Sequence, residues 1–316
     1  MAQHTWTYDA PTGVYKNHAM SGKMREAAIA DAKFMQFVDP EPGYGKGKGE
    51  SVTITRIANI AEPTDGRILE TDAIPEDTFS ISTVQITVSE WGRAVPFTSL
   101  AKDLGSFDLQ NKIQMKLKDQ LKLVMDRAAA TAFKSAKIKA IPDGVSSLTF
   151  DTDGTPSTAA TVNANLYHVE QIRDYMKTTL HVPPYEGDDY VCLASTKFLR
   201  GIKNDPKWEQ WKIYTSPEAK YQSEVGRLEN CRFVEINNTN ALSGSKGTGG
   251  VLGEAVFFGA DAVAMAVAQD PELRAAIPKD FGRSQAVAWY GILEFGAIWG
   301  DSANDGEARI IHVTSS

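Results

Sequence analysis

Cysteine, histidine and long apolar runs are all scarce in this chain of 316 residues, and each scarcity excludes a class of protein. Its two cysteines, Cys192 and Cys231, cannot build a disulfide framework, which fits a reducing compartment. No run of about eighteen apolar residues occurs, and the first residues lack the charged-then-apolar order of a signal peptide. We therefore expect a protein that is made and kept in the cytosol, with no membrane partner.

Residue patterns that support catalysis or metal binding are also missing. The five histidines do not stand in a metal-binding spacing with each other, with cysteines or with carboxylates, although His168 and Glu170 share a predicted helix. No G-x-S-x-G turn is present, and neither cysteine has an activating neighbour. The acidic stretches 151–154 and 301–307 lack the ligand spacing of a calcium loop. We expect no catalytic residue, no metal and no cofactor.

The charge of the chain argues against a protein that grips nucleic acid over its whole surface, because its net charge is −7. Glycines alternate with lysines near residues 43–49, which superficially suggests a phosphate-binding loop. These glycines precede a predicted strand and lack the Walker spacing, so a flexible hinge is the better interpretation. Direct DNA recognition through the lysine-rich helix described next lacks the interleaved aromatic residues that would support it.

One long segment, residues 107–137, carries the strongest helical pattern in the chain. Its apolar residues recur at three- and four-residue steps, which aligns them on one stripe of an α-helix of roughly 45 Å. The stripe consists of Ile113, Leu117, Leu121, Val124 and Ala128. Asp108 is placed to cap the first turn. One flank is basic, with Lys112, Lys116, Lys118 and Lys122.

The part of the chain before this helix predicts a leading arm and a projecting hairpin. The arm, residues 1–49, contains one predicted helix over 19–37, with too little apolar surface to form a core alone. Residues 51–60 and 79–98 alternate apolar and polar residues and predict the two arms of a hairpin. Its acidic connection, residues 61–78, is too long for a tight turn. Such a hairpin needs a surface to lie on, and the basic flank of the long helix is complementary in charge.

The part after the helix predicts a compact α/β lobe. A hairpin over 138–150 is predicted to turn at Asp143–Gly144, and a domain boundary follows in 151–161. We predict helices over 165–181, 196–211 and 261–268, and strands over 190–194, 232–236 and 255–259. Two final strands, 285–299 and 308–314, are expected to return to the hairpin after the long helix.

Elements that project from the chain fold stably only against neighbours. A protein built from them is expected to be a self-assembling shell or lattice component, with contacts repeated by symmetry. The alternative from another class is a cytosolic enzyme that uses the α/β lobe as its catalytic domain.

The order of these parts resembles the major capsid proteins of tailed double-stranded DNA phages, which have the Hong Kong 97 type of fold. More narrowly, residues 49–104, 225–235 and 255–268, together with the stretch YGILEFGAIW, resemble the phage N-four type of major capsid protein. The resemblance spans nearly the whole chain. It depends on a diffuse pattern and on element order, with no catalytic signature.

This resemblance implies an α+β capsid fold with four parts: an N-arm (1–49), an extended loop (50–98), a peripheral domain with a spine helix (99–156 and 284–316) and an axial domain (157–283). It implies hexamers and pentamers of an icosahedral shell that encloses double-stranded DNA by non-specific proximity. The protein would be assembled in the host cytoplasm and located in the virion. Its partners would be its own copies, a portal at one vertex, and possible cement and scaffolding proteins.

Two departures from this family shape the expectation. No long scaffold-like extension precedes the arm, which implies a separate scaffolding protein or none, and no cross-linking set of Lys, Asn and Glu is identifiable. An encapsulin-like container for enzyme cargo stays open as an alternative. The charge contrast predicts contacts between subunits, with Glu70, Asp72, Glu76 and Asp77 meeting Lys112, Lys116 or Lys122 of a neighbour.

Overall fold

The computed structural model describes residues 29–41, 44–60, 62–63, 65–68, 70, 73–104, 108–205, 224–278, 280–299 and 308–316. Within them it has three sheets and four α-helices, in agreement with the expected α+β class. The strands are β1 (Asp39–Pro40), β2 (Ser51–Ile57), β3 (Ile81–Thr87), β4 (Ser89–Thr98), β5 (Lys139–Gly144), β6 (Ser147–Asp151), β7 (Tyr190–Ser195), β8 (Glu224–Leu228), β9 (Cys231–Ile236), β10 (Ala255–Phe258), β11 (Val263–Ala275), β12 (Ser284–Ala297) and β13 (Ile310–Val313). The helices are α1 (Ser99–Leu104), α2 (Leu109–Lys134), α3 (Leu166–Asp174) and α4 (Thr196–Lys203).

The largest sheet has seven strands in the order β6-β5-β13-β10-β7-β9-β8. Its central strands are buried on both faces, and their side chains alternate between two cores. In β10, for example, Phe257 packs into the core that contains α3 and α4, while Phe258 packs into the core that contains α2. A strand buried on both faces is expected to be continuously apolar, as AVFF is.

Helix α2 begins as the sequence predicts. The side chain of Asp108 accepts a hydrogen bond from the backbone N–H of Asn111 (3.2 Å), which satisfies a donor that the first turn leaves unpaired. Burial increases toward the C-terminal half, where Ala129, Ala130 and Phe133 are fully buried. The alanines allow close approach of the sheet, and Phe133 packs on Phe258 with ring centroids 4.8 Å apart. No helix in the described part of the chain is long and apolar enough to cross a bilayer.

A four-stranded sheet in the order β1-β11-β12-β4 covers another side of α2, where Trp289 and Leu293 of β12 join the same core. The predicted helix over 261–268 is therefore wrong, because β11 occupies this segment. Its alanines have a high helix propensity, but β11 pairs with β12 along one edge and with β1 along the other. Pairing in the tertiary structure overrides the local preference of the chain.

Four other predictions need correction or fall partly outside the described residues. Strand β12 pairs with β11 and β4, so only β13 returns to β5 as expected. The second hairpin arm divides at Val88, since β3 pairs with β2 but β4 pairs with β12. The turn predicted at Asp143–Gly144 lies two residues later, because Gly144 still pairs with Ser147. The helix predicted over 196–211 ends as α4 at Lys203, and residues 206–211 lie outside the described residues.

The predicted arm helix over 19–37 is also wrong where the structure describes it. Residues 29–33 are not helical, and Phe34–Phe37 form a single 3-10 turn; residues 19–28 lie outside the described residues. A buried carboxylate from another element binds the backbone N–H of Phe34, and this contact replaces the intrahelical hydrogen bond. Local amphipathicity over 19–37 could not anticipate that contact. The division into arm, extended loop, peripheral domain and axial domain stays a prediction.

Candidate assembly surface

The ribbon formed by β2 and β3 has one face that packs on its own chain. The strands pair antiparallel from Ser51 opposite Thr87 to Ile57 opposite Ile81. Because side chains alternate along a strand, even-numbered residues share one face. On that face Val52 and Ile86 are buried against small side chains of β11 and against the end of β12. The base of the ribbon is thus seated on its own subunit.

Two contacts of Arg56 hold the same even-numbered face of the ribbon on its own subunit. The guanidinium of Arg56, which is only 5% exposed, donates to the carbonyl oxygen of Ile298 (2.9 Å) and lies over the ring of Trp299. A Cβ added at Gly296 would lie 2.7 Å from Cγ1 of Ile86, closer than real Cβ contacts come. Glycine at this position therefore permits the ribbon to lie directly on β12.

The opposite face of the ribbon is mostly Ser, Thr and Gln, and its exposed apolar side chains lie at the end next to the connection. Ile57 and Ile81 stand directly opposite each other and are 62% and 59% exposed. Ile74 and Phe79 of the connection are 76% and 57% exposed. Large apolar side chains that stay in water are typical of an interaction surface.

The acidic residues predicted to contact a neighbour lie on both sides of Ile74 in the sequence. Glu70, Glu76 and Asp77 are exposed, whereas Asp72 lies outside the described residues. These side chains are in water, where they are available to a partner with positive charge.

The predicted basic partners lie on the first half of α2. Lys116 and Lys122 are exposed and Lys112 is half-buried. Lys116 also forms an ion pair within its own helix, with its Nζ 3.7 Å from Oδ2 of Asp119. The pairing of these lysines with the acidic connection of another copy stays a prediction.

A second exposed apolar feature is the tip that joins β11 to β12. Phe281 is fully exposed, and Ile277 is 85% exposed. Asp280 and Phe281 both have a φ near +50°, a left-handed conformation that side chains rarely adopt. Nothing in the sequence marks this tip, because a lone Phe among Gly, Asp and Lys carries no pattern.

The described end of the leading arm is held on α2 by a residue that no sequence pattern marks. Asp126 is fully buried, and its Oδ1 accepts a hydrogen bond from the backbone N–H of Phe34 (2.7 Å). Burial raises its pKa, while hydrogen bonds from the backbone of the arm and from Asn238 act in the opposite direction. The only sign of this role in the sequence is a carboxylate that follows apolar residues shortly before the alanines of α2.

A cluster of buried charged residues lies where the end of α2 meets the seven-stranded sheet. Glu254, His312 and Lys139 are 4%, 5% and 6% exposed, although they are distant in sequence. Glu254 accepts a hydrogen bond from the backbone N–H of Ser243 (2.7 Å), and its carboxylate lies 4.0 Å from Lys134 and 3.6 Å from Lys246. The sequence offered no signal for this cluster, because each residue comes from a separate element.

Both cysteines are fully buried in the core of the sheet and are free thiols. Burial raises the pKa of Cys231 to about 12, so that its thiol stays protonated at neutral pH. His168 completes a capping box at the start of α3 and also contacts the carbonyl oxygen of Gly144. Among the described residues, no three His, Cys, Asp or Glu side chains are grouped in a way that could hold a metal ion.

Comparison with solved structures identifies the fold. The chain superposes along 99% of its length on 98% of a chain in the capsid of Ralstonia phage GP4, with 16% identity and a TM-score of 0.66. It matches the cyanophage Pam1 capsid over 100% of this chain and 99% of that one, with 12% identity and a TM-score of 0.69. The capsid of Helicobacter pylori bacteriophage KHP30 matches over 94% of both chains, with 10% identity and a TM-score of 0.65.

No family model and no curated protein matches the chain. The structural likeness nevertheless covers nearly all of this chain and nearly all of each matched chain. The expected capsid fold of the Hong Kong 97 type is therefore confirmed. The narrower likeness to the phage N-four type stays a prediction.

Proposed function

We propose that this chain is the major capsid protein of a tailed phage and assembles into the hexamers and pentamers of an icosahedral shell around double-stranded DNA. The observation that carries this proposal is the full-length likeness to capsid chains of several phages. The exposed ribbon supports it independently, because the isoleucine pair at its end is mostly exposed in the described chain and would be covered by another copy. Its role is structural, with no catalytic step.

The same proposal assigns parts to the chain. Residues 1–49 act as the N-arm, 50–98 as the extended loop, 99–156 and 284–316 as the peripheral domain with α2 as its spine, and 157–283 as the axial domain. Copies of the chain are the principal partner. A portal at one vertex, scaffolding or cement proteins, packaged DNA and assembly in the host cytoplasm depend on the resemblance alone.

We further propose that the acidic connection of one copy meets the basic flank of α2 in a neighbour. The acidic members are Glu70, Asp72, Glu76 and Asp77, and the basic members are Lys112, Lys116 and Lys122. Each exposed ion pair contributes at most about 1 kcal/mol. Repetition around a closed shell adds many such pairs, and the exposed apolar side chains of the ribbon and its connection supply the remaining attraction when a neighbour covers them.

Charge reversal tests this pairing. Replacing the four acidic residues by lysine should leave the subunit folded but reduce shell formation, because like charges then face each other. Replacing the three lysines by glutamate should have the same effect. Combining both sets should restore assembly, since the attraction is re-formed with its signs exchanged. Normal shells from either single set at low salt would contradict the pairing.

An encapsulin-like container is the alternative within the same fold. Electron microscopy of the expressed protein would show megadalton particles in either case, whereas a soluble enzyme would remain a small oligomer. Particles purified from an infected host that contain DNA would support the capsid proposal. Particles that enclose protein cargo and no DNA would support the container.

A further inference from the structure

The buried cluster at the end of α2 has a defined hydrogen-bond direction. Nζ of Lys139 lies 3.2 Å from Nδ1 of His312 and donates to the carbonyl oxygen of Lys134 at 2.8 Å. Burial lowers the pKa of Lys139 only to about 8, so its side chain is an ammonium group at neutral pH, with donors but no acceptor, and Nδ1 must supply a lone pair. The imidazole is therefore neutral, with its proton on Nε2, which faces Oε1 of Glu254 at 3.6 Å.

This arrangement connects three parts of the fold. Lys134 belongs to the last turn of α2, Lys139 to β5 and His312 to β13, while Glu254 immediately precedes β10. Two backbone hydrogen bonds join β13 to the segment after α2: the N–H of His312 donates to Ile138 (3.0 Å) and the N–H of Thr314 donates to Ala140 (3.1 Å). The cluster thus lies directly on the seam between the long helix and the C-terminal strand.

Protonation of His312 would break this arrangement. A proton on Nδ1 would face the ammonium group of Lys139 with two donors and two positive charges 3.2 Å apart in a buried site. The charged groups around the ring would then be Lys134, Lys139, Lys246 and the imidazolium, against the single carboxylate of Glu254. Buried charges without compensation are strongly unfavourable.

We propose that the cluster of Lys139, His312 and Glu254 is an acid-sensitive lock that holds β13 against β5 at neutral pH and releases this seam when His312 is protonated. The proposal is independent of the capsid function, because it concerns a conformational device within one subunit. Acid would loosen the attachment of the C-terminal strand to the end of α2 before it unfolds the rest of the sheet.

The proton affinities of the groups agree with this geometry. Burial lowers the pKa of His312 to about 4, opposed by Glu254 and assisted by Lys139. In the unfolded chain the His312 imidazole therefore binds a proton near pH 6.5, whereas in the folded chain it binds one only near pH 4. Stability from this residue is complete above pH 6.5 and is lost as the pH falls through that window.

The test compares full-length wild-type protein with the variant His312→Gln, whose amide can accept from Lys139 but does not titrate. We expect the wild type to lose roughly 5 °C more in apparent Tm than the variant between pH 7.5 and pH 5. The matched control is His181→Asn at an exposed position with positive φ, where asparagine is well tolerated. This control should keep the pH slope of the wild type.

Two measurements on the wild type avoid dependence on the variant's folding. In histidine-labelled protein, the ring resonance of His312 should titrate well below pH 6.5. Hydrogen-exchange protection of the His312 and Thr314 amides should fall between pH 7 and pH 5, while that of Val191 in β7 stays unchanged. Titration of His312 near pH 6.5, or equal pH slopes for the wild type and His312→Gln, would overturn the proposal.

Discussion

Removal of the Asp126 carboxylate should detach the leading arm from α2 without unfolding the subunit. Asp126 is fully buried, and its Oδ1 accepts from the backbone N–H of Phe34 at 2.7 Å. The variant Asp126→Ala leaves that N–H without an acceptor in a dry site, which costs about 1–3 kcal/mol. The arm keeps its apolar anchors, since Phe34 and Phe37 are 0% and 1% exposed.

The free energy lost in Asp126→Ala lowers the free energy of local opening of the arm. Because each 1.4 kcal/mol corresponds to about a factor of ten, the amide of Phe34 should exchange about 10- to 100-fold faster in Asp126→Ala. Amide hydrogen exchange followed by mass spectrometry measures this directly on peptides that cover residues 29–38. Cleavage by a nonspecific protease within the same residues should accelerate in parallel.

Two variants control for other effects. Asp126→Asn keeps one oxygen acceptor and should fall between the wild type and Asp126→Ala. Asp119→Ala removes a half-buried carboxylate of the same helix that pairs with Lys116, so exchange at Phe34 should not change. If Asp126→Ala left the exchange of Phe34 at the wild-type rate, the carboxylate would not be what holds the arm.

Four further changes have expected outcomes. Gly296→Val should displace the base of the ribbon, because a Cβ there meets Ile86 at 2.7 Å, and accelerated exchange of β2 and β3 amides would report it. Phe281→Ser should leave the Tm of the subunit unchanged but reduce particle yield in electron microscopy, since the ring is fully exposed. Phe133→Ala should cost about 3–5 kcal/mol in urea unfolding, because a fully buried ring is lost from the core. Glu254→Gln should lower the free energy of unfolding at pH 7 by roughly 2–3 kcal/mol in denaturant titrations. Burial raises the pKa of Glu254, but contacts with His312, Ser243 and Lys134 lower it to about 2. The stability that this carboxylate contributes is therefore present above about pH 4.5 and lost below it.

Local patterns in the sequence predicted the elements whose stabilising contacts are local or regular. The stripe from Ile113 to Ala128 and the cap at Asp108 predicted α2, because a 3.6-residue repeat and a capping side chain act within the helix itself. The apolar stretches of β7, β9 and β10 predicted buried strands, and the alternation over 51–60 predicted β2. That the ribbon projects from the subunit stays a prediction, since one of its faces packs on its own chain.

Prediction failed where a distant partner decides the conformation. Residues 261–268 favour a helix by composition, yet most of them form β11, which pairs with β1 and β12 in a sheet. The arm residues 29–37 have an amphipathic pattern, yet Asp126 binds the backbone of Phe34 and leaves only a 3-10 turn. The contacts between the acidic connection and the lysines of α2 stay a prediction, suggested by unlike charges that are visible in the sequence. Glu254 and His312 were missed because nothing marks two isolated residues as neighbours.

The sequence by itself determined the order of the arm, ribbon, long helix and α/β lobe, since periodicity and charge are properties of contiguous residues. Only the tertiary structure decided which strands share a sheet, where the ribbon rests, and which charges are buried together. Such contacts join residues as far apart as Lys139 and His312. Their free energy depends on burial and on distance in space, neither of which a linear pattern records.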